Sequence, residues 1–199
     1  MSWSQNKEEE YILQACPEPK GRFLDFGAYE PFGLSNTRAL FERGWGGVLI
    51  EPSPSPFERL KATYGNEPRI TLIQAAVGLW AGELKMWITS DGLSTSEPSI
   101  FRKWSAYLVK AGLPYAPEQV TVPAITLEMV YAEHGPFDFV SIDTEGTSVD
   151  LFRRLIDLGH RPKCICVEHD SRLEETKSIA ARGGYRKTYY SGENEVYVR

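Results

Sequence analysis

The sequence predicts an α/β fold built on a mostly parallel sheet, and three observations predict it. Short runs that are apolar throughout alternate with longer stretches of helical periodicity. Such runs fit strands buried on both faces of a parallel sheet. Each run ends abruptly at glycine or at an acidic residue. Two terminal runs, Arg186 to Tyr190 and Glu195 to Val198, are separated only by Ser191-Gly192-Glu193-Asn194 and read as an antiparallel hairpin.

Taken in order, Arg22 to Phe26 is the first strand, closed by Gly27, and Leu34 to Arg43 is a helix closed by Gly44. Gly47 to Ile50 is the second strand, ending at Glu51 and the prolines 52, 54 and 56; Phe57 to Tyr64 is a helix stopped by Gly65. Ile70 to Val77 reads as one strand, and Glu83 to Ile88 alternates like a strand with one wet face. Asp91 to Gln119 is rich in Ser, Pro and Gly around an aromatic stretch; so long a weakly patterned piece in a compact domain marks a lid or a binding loop. Thr121 to Pro123 reads as a short edge strand, and Thr126 as the N-cap of a helix that runs to His134 and ends at Gly135-Pro136. Phe137 to Ile142 is a strand ending at Asp143, and Thr147-x-x-Asp150 resembles a capping box for a helix through Leu158. Cys164 to Val167 is a buried strand ending in Glu168-His169-Asp170, and Leu173 to Arg182 is a helix.

The 199 residues suit one domain, residues 1–199, with 89–119 as its lid or substrate-binding insert. A hydrophobic share of 42% argues against wholesale disorder, and a net charge of −5 gives no general attraction to nucleic acid. Three cysteines do not make a disulfide framework, and Cys164 and Cys166 alternate within an apolar run as core residues. The N-terminus is polar and acidic, and no apolar stretch reaches membrane-spanning length. The expectation is a soluble cytoplasmic protein with no membrane partner.

Ligands of open α/β sheets bind beyond the carboxyl ends of the strands. That rule selects Gly27-Ala28-Tyr29, Glu51, Ala75-Ala76, Asp143-Thr144-Glu145 and Glu168-His169-Asp170. Gly27 lets a ligand approach backbone closely, and Glu51, just past the next strand, is placed to accept hydrogen bonds from ribose hydroxyls. Tyr29 and Glu30 oppose a pyrophosphate in the loop. The acidic residues Asp25, Glu30, Asp143 and Glu145 instead favour the cationic groups of S-adenosylmethionine.

Several segments together resemble the FkbM-type methyltransferases: Phe23-Leu24-Asp25-Phe26-Gly27-Ala28, Ser35-Asn36-Thr37-Arg38-Ala39-Leu40, Gly44 to Pro52, Gln74 to Gly78, Gly92-Leu93-Ser94-Thr95 and Phe137 to Gly146. The resemblance covers roughly Arg22 to Glu168. It implies a single-domain, Rossmann-like class I methyltransferase fold, with a mostly parallel seven-stranded sheet ending in an antiparallel hairpin. It implies S-adenosylmethionine held by Asp25, Gly27, Ala28, Tyr29, Asn36, Glu51, Pro52, Ser53, Ala75, Ala76 and Asp143, and a hydroxyl acceptor on a sugar, glycan or other small molecule. Tyr29 and Pro31 depart from the family loop, where Asn and a further glycine follow Gly-Ala. The chain is short for the group, which leaves room for a homo-oligomer whose second subunit completes the acceptor site.

A hydroxyl attacks carbon poorly until it loses its proton, so a base or a metal must help. His169 could be the base, with Asp143, Glu145 and Glu168 as neighbouring catalytic candidates; alternatively Asp143, Glu168 and Asp170 could hold Mg²⁺. Arg102, Trp104 and Tyr107 form the acceptor-binding candidate, through ring stacking and charge. The same stretch also reads as an amphipathic helix packing Phe101, Trp104, Tyr107 and Leu108 inward. Methylation of RNA ribose or of nitrogen, and a cofactor-binding module without turnover, stand as alternatives to small-molecule O-methylation.

Overall fold

The computed structural model describes residues 2–89, 92–112 and 117–199; residues 90, 91 and 113–116, inside the expected insert, lie outside the described residues. In chain order the elements are α1 (Glu8–Ala15), β1 (Arg22–Phe26), α2 (Arg38–Glu42), β2 (Gly46–Ile50), α3 (Pro54–Tyr64), β3 (Ile70–Ile73), β4 (Ala76–Gly78) and β5 (Gly82–Ile88). They continue with α4 (Pro98–Lys110), β6 (Glu118–Thr126), α5 (Leu127–His134), β7 (Phe139–Ile142), α6 (Ser148–Asp157), β8 (Cys164–Glu168), α7 (Leu173–Gly183), β9 (Arg186–Tyr190) and β10 (Asn194–Val198).

The apolar runs assemble as expected into a seven-stranded sheet in the order β3-β2-β1-β7-β8-β10-β9. Its first five strands are parallel, while β10 pairs antiparallel with both β8 and β9. Alternate residues of the same strand feed two cores. Leu24, Phe26, Val140, Ile142, Ile165 and Val167 face α5, α6 and α7, where Leu127, Phe152, Leu155 and Ile179 are buried. Phe23, Leu49, Phe139 and the free, buried Cys164 and Cys166 face the other way, against Ile12 of α1, Leu40 of α2 and Leu60 of α3. Side chains that alternate between two dry faces explain why these strands read as apolar throughout.

The order reverses direction between β1 and β7: β2 and β3 lie to one side, β8 and the hairpin to the other. Crevices open at such a switch point, beyond the carboxyl ends of the strands. A second, three-stranded sheet, β4-β6-β5, flanks it.

Several elements differ from the sequence reading. The run Ile70 to Val77 divides: Ile70–Ile73 joins the large sheet and Ala76–Gly78 the small one. Thr121 to Pro123 belongs to a nine-residue strand that is central in the small sheet. Pro123 is tolerated there because β4 pairs only with Ala124, Ile125 and Thr126, so β6 has a partner on one side alone at the proline. Thr126 caps α5 as expected, accepting from the Met129 N–H. The expected helix from Leu34 shortens to Arg38–Glu42, because Ser35 and Thr37 make other hydrogen bonds. The helix after Glu51 starts earlier, at Pro54, where a missing N–H costs nothing.

Thr147 and Asp150 do not form a capping box. Asp150 pairs with Arg172, and the start of α6 is served from a distance by Asp170, whose carboxylate accepts from Gly146 N and Val149 N at 2.9 and 3.2 Å. The acidic N-terminus forms α1, with Glu8 and Glu9 buried beside Ile12. No helix among the described residues is long and apolar enough to cross a membrane.

Candidate functional site

The carboxyl ends of β1, β2, β7 and β8 surround a cavity of about 380 Å³, within the ~300–1,000 Å³ span of small-molecule sites. Gly27, Tyr29, Asn36, Glu51, Pro52, Ser53, Ala75, Ala76, Trp104, Asp143, Glu145, Glu168 and His169 all line it. Asp25, Ala28, Glu30, Arg102 and Tyr107 do not.

The floor is set where β1 and β7 end side by side. Asp143 N donates to Phe26 O at 3.0 Å, and Gly27 N donates across to Ile50 O at 3.0 Å. Gly27 has φ of +80°, and a Cβ there would stand 1.8 Å from the Asp143 carbonyl oxygen. The need for glycine therefore comes from the neighbouring strand's backbone rather than from a ligand. Gly33, by contrast, has open space where a Cβ would go.

Glu51 is buried, with its carboxylate braced by backbone. Oε2 accepts from Tyr29 N at 3.1 Å and Oε1 from Ser53 N at 2.7 Å. Burial nevertheless raises its pKa above the ordinary carboxylate value. Tyr29 takes a left-handed φ of 41°, and its ring lies against Gly92 and near the Arg59 guanidinium. Glu30 is turned away to pair with Arg59 at 2.6 Å, so it adds no open charge to the cavity.

Asp25 is also buried and has a structural partner. Thr37 Oγ1 donates to its Oδ2 at 2.7 Å, and burial pushes its pKa up to about 6. Beside it, Asn36 Nδ2 donates to Ser141 Oγ at 3.1 Å. These two bonds pin the Ser35–Thr37 loop to β1 and β7, so Asp25 positions the wall of the cavity without facing into it.

Asp143, Glu145 and Glu168 bring carboxylate oxygens within 4.8 Å of one another. Burial, followed by mutual repulsion, pushes Glu145 up to about 8 and Glu168 well above the ordinary range; burial, offset in part by the Glu168 hydrogen bond, pushes Asp143 up to about 7. Asp170, grouped with them in the sequence reading, is committed to Gly146 N and Val149 N. Glu145 takes its place in the trio, on a backbone with φ of 49°.

His169 is restrained by backbone at both ring nitrogens. Nδ1 accepts from Ser171 N at 2.9 Å, which leaves the proton on Nε2, 2.9 Å from the Gly192 carbonyl oxygen. The neutral ring has one basic nitrogen, and here it is occupied. A base role for His169 requires it to release the Ser171 N–H.

The insert reaches the site through α4. Trp104 Nε1 donates to Glu145 Oε2 at 3.3 Å, Thr95 Oγ1 to the Glu145 carbonyl at 2.6 Å, and Ser53 Oγ to Ser94 Oγ at 3.1 Å. Stacking of Trp87 on Phe101, at 4.5 Å between centroids, ties the helix to β5. Helix α4 buries Leu108 but leaves Tyr107 60% exposed, so it is amphipathic without sinking into the core. Of the three acceptor-binding candidates, Trp104 alone faces the cavity. Gln5, Glu193 and Asn194 also line it and escaped the sequence reading, since each comes from a polar terminal segment without periodicity.

A family model for the methyltransferase FkbM domain matches residues 25–187. Among solved structures, methyltransferase FkbM from Methylobacillus flagellatus KT superposes with a TM-score of 0.58 at 16% identity, over 91% of this chain and 44% of that one. This chain thus spans less than half the length of that relative. The candidate methyltransferase yhhF from Escherichia coli superposes with a TM-score of 0.50 at 14% identity, over 100% of this chain and 88% of that one. These likenesses show the same α/β fold. No curated protein sequence matches the chain.

Two predictions follow from this geometry. Gly27→Ala combines a left-handed alanine with a collision against backbone, and is expected to cost about 2–4 kcal/mol in a urea unfolding titration. The raised carboxyls also set a pH dependence. Between the unfolded values near 4 and the folded values of about 7 and 8, the native chain holds protons that the unfolded chain has released. Their contribution is therefore greatest at acid pH and is lost as pH rises through that window. Thermal melts are expected to show Tm falling as pH rises from 5 to 8, and Glu145→Gln should flatten the slope.

Proposed function

The chain belongs to the FkbM methyltransferase family, and from that premise we propose that it transfers a methyl group from S-adenosylmethionine to a hydroxyl of a sugar, glycan or similar small molecule. The observation that carries this reading is the cavity at the switch point, with Glu51 in one wall and half-buried, proton-holding carboxyls in its floor.

The residues present fit that cofactor. Each Glu51 oxygen accepts one backbone N–H and retains a lone pair for a ribose hydroxyl. Ala75 and Ala76, both buried, give a small apolar surface next to the cavity that suits an adenine ring. Asp143 and Glu145 hold protons, and sulfonium and ammonium groups favour their ionised, negatively charged forms. S-adenosylmethionine, when bound, supplies an electrophilic methyl group.

The chain's own contribution is orientation and proton transfer. Cavity walls that hold an acceptor in line can provide much of the rate, since effective molarities reach ~10⁵–10⁸ M. For the acceptor's proton, Asp143 and Glu145 have values of about 7 and 8, near those a general base at neutral pH requires. An ordinary exposed carboxylate is too weak a base for this task, and burial corrects it. With its ring nitrogens engaged, His169 orients the β8 end and its proton role passes to the pair.

Calorimetry is expected to show S-adenosylmethionine binding that weakens about tenfold or more in Glu51→Ala, which removes the ribose acceptor and the brace for Tyr29 and Ser53. A methyl-release assay over glycans, nucleotide sugars and RNA should register turnover on the sugar hydroxyls; turnover on RNA alone would replace the acceptor assignment. Asp143→Asn and Glu145→Gln should each lower kcat by roughly 10²–10⁴ with S-adenosylmethionine still bound. EDTA tests the alternative in which Asp143, Glu145 and Glu168 hold Mg²⁺. Loss of turnover that Mg²⁺ restores would establish it in place of a carboxylate base.

A further inference from the structure

An acceptor whose hydroxyl reaches the carboxyls of the floor must pass the rest of its body through the rim. The rim therefore bears on what else the acceptor carries. The carboxyl groups that line the cavity are Glu51, Asp143, Glu145, Glu168, Asp170 and Glu193. Against them stands a single lysine or arginine among the described lining residues, Lys103 on α4. Lys103 is exposed as well as lining, which puts it at the rim. Its Nζ lies 5.2 Å from the centre of the Trp104 ring, and from the edge of that indole Nε1 donates to Glu145 Oε2 at 3.3 Å. One indole therefore separates the rim cation from a floor carboxyl.

No carboxylate among the described residues pairs with this ammonium; its charged contact is the Trp104 ring face. A ring face attracts a cation and leaves its charge uncompensated. The helix offers no partner either. Three and four residues from Lys103 stand Ser99, Ile100, Ala106 and Tyr107, and the same spacings from Arg102 reach Pro98, Ser99, Ser105 and Ala106. Helix α4 thus carries Arg102, Lys103 and Lys110 and no acidic residue, in a chain whose net charge is −5. A second donor precedes the helix. Ser96 lines the cavity half-buried, and its hydroxyl makes no hydrogen bond among the described residues. The hydroxyls of Ser94 and Thr95 beside it are committed, to Thr89 O and to Glu145 O. Helical side chains lean toward the N-terminus, which carries Lys103 toward Ser96.

We propose that Lys103 and Ser96 form a rim subsite for an anionic group, phosphate or carboxylate, carried by the acceptor sugar. Lys103 is then the residue that selects a charged acceptor over a neutral one. The sugar ring spans the width of the Trp104 indole, with its reactive hydroxyl at Asp143 and Glu145 and its anion on Nζ. An ammonium-to-anion hydrogen bond is about twice as strong as a neutral one, so one such contact suffices to discriminate. This assignment rests on the methyltransferase reading above and adds to it the charge of the acceptor and the residue that reads it.

The test uses ¹⁵N-labelled full chain saturated with S-adenosylhomocysteine, with the Trp104 indole N–H signal, assigned by its loss in Trp104→Phe, as reporter. The probes are inorganic phosphate, glucose 1-phosphate, methyl β-D-glucuronopyranoside and methyl α-D-glucopyranoside. The signal is expected to move with inorganic phosphate and with at least one of the two anionic sugars, which tells phosphate from carboxylate. It should move with the neutral glucoside only at higher concentration. Lys103→Gln, at an exposed position where folding is not at risk, should weaken the anionic sugar's Kd about tenfold, and Lys103→Arg should restore most of it. Ser96→Ala should weaken it about threefold, and each variant should leave the Kd for S-adenosylhomocysteine unchanged. Equal anion affinity in Lys103→Gln overturns the subsite. A neutral glucoside bound as tightly as either anionic sugar overturns the charge preference. Product bound, with the signal unmoved by any anion, overturns the subsite and leaves the methyltransferase reading intact. Absence of S-adenosylhomocysteine binding overturns both readings together.

Discussion

The contact on which the rest of the site depends is the approach of the Asp143 carbonyl oxygen to Gly27. These residues end adjacent strands at the point where the sheet reverses its order, and the space between them admits a hydrogen atom but no methyl group. Because β1 and β7 close to this distance, the chain after each must diverge. One branch goes to Tyr29 and Glu51, the other to Glu145 and α6. The cavity is the gap left by that divergence. Glu51, Tyr29 and Ser53 then lock one branch through backbone N–H groups, while Asp170 locks the other by accepting from Gly146 and Val149.

The same convergence explains the electrostatics. Strand ends that meet at one rim bring their terminal carboxylates with them, and here three lie within 4.8 Å. The acids are half-buried in the cavity floor, so desolvation is the leading cause of each raised value and repulsion among them adds to it for Glu145 and Glu168. Raised carboxyls cost stability above acid pH, and proteins accept such costs at functional sites. Asp150 shows the contrast within a few residues: Arg172 beside it holds its carboxyl below the usual range. The chain thus has arginines available for pairing and places none against Asp143, Glu145 or Glu168 among the described salt bridges.

Much of this was legible in the sequence, for a physical reason. Strands dry on both faces must be largely apolar, so Arg22–Phe26, Gly46–Ile50 and Cys164–Glu168 announce themselves, and Glu51 and Glu168 at the ends of the latter two mark the rim. Contacts that depend on distant backbone were not legible. Nothing near Thr147 shows that Asp170 rather than Asp150 serves the start of α6. Nothing near His169 shows that Ser171 N and Gly192 O occupy its ring. Asp25 looked like a cavity residue because it sits on β1 just ahead of Gly27, yet strand alternation turns it toward Thr37. The packing of the N-terminal segment around α1 was not legible, because Glu8 and Glu9 are buried where charged side chains ordinarily face solvent.

Helix α4 connects the carboxyl charge to the shape of the cavity. It buries one side chain, Leu108, so packing alone holds it weakly. Besides the stack of Phe101 on Trp87, it is fastened near the site by the Trp104 bond to Glu145 and the fit of Ile100 against Gly146, while Thr95, just ahead of it, donates to the Glu145 carbonyl. The Trp104 bond depends on charge, because a carboxylate accepts a stronger hydrogen bond than a protonated carboxyl does. Any cation that enters the cavity favours the ionised form of Glu145 and so strengthens the indole bond that seats α4. The converse also holds. Seating Trp104 on Glu145 favours ionisation and raises the affinity for a cation, since coupling between two equilibria is reciprocal. A positively charged ligand and the Trp104–Glu145 hydrogen bond therefore stabilise each other through a single carboxyl group. The acid that faces the cavity is the same acid that holds the indole of α4.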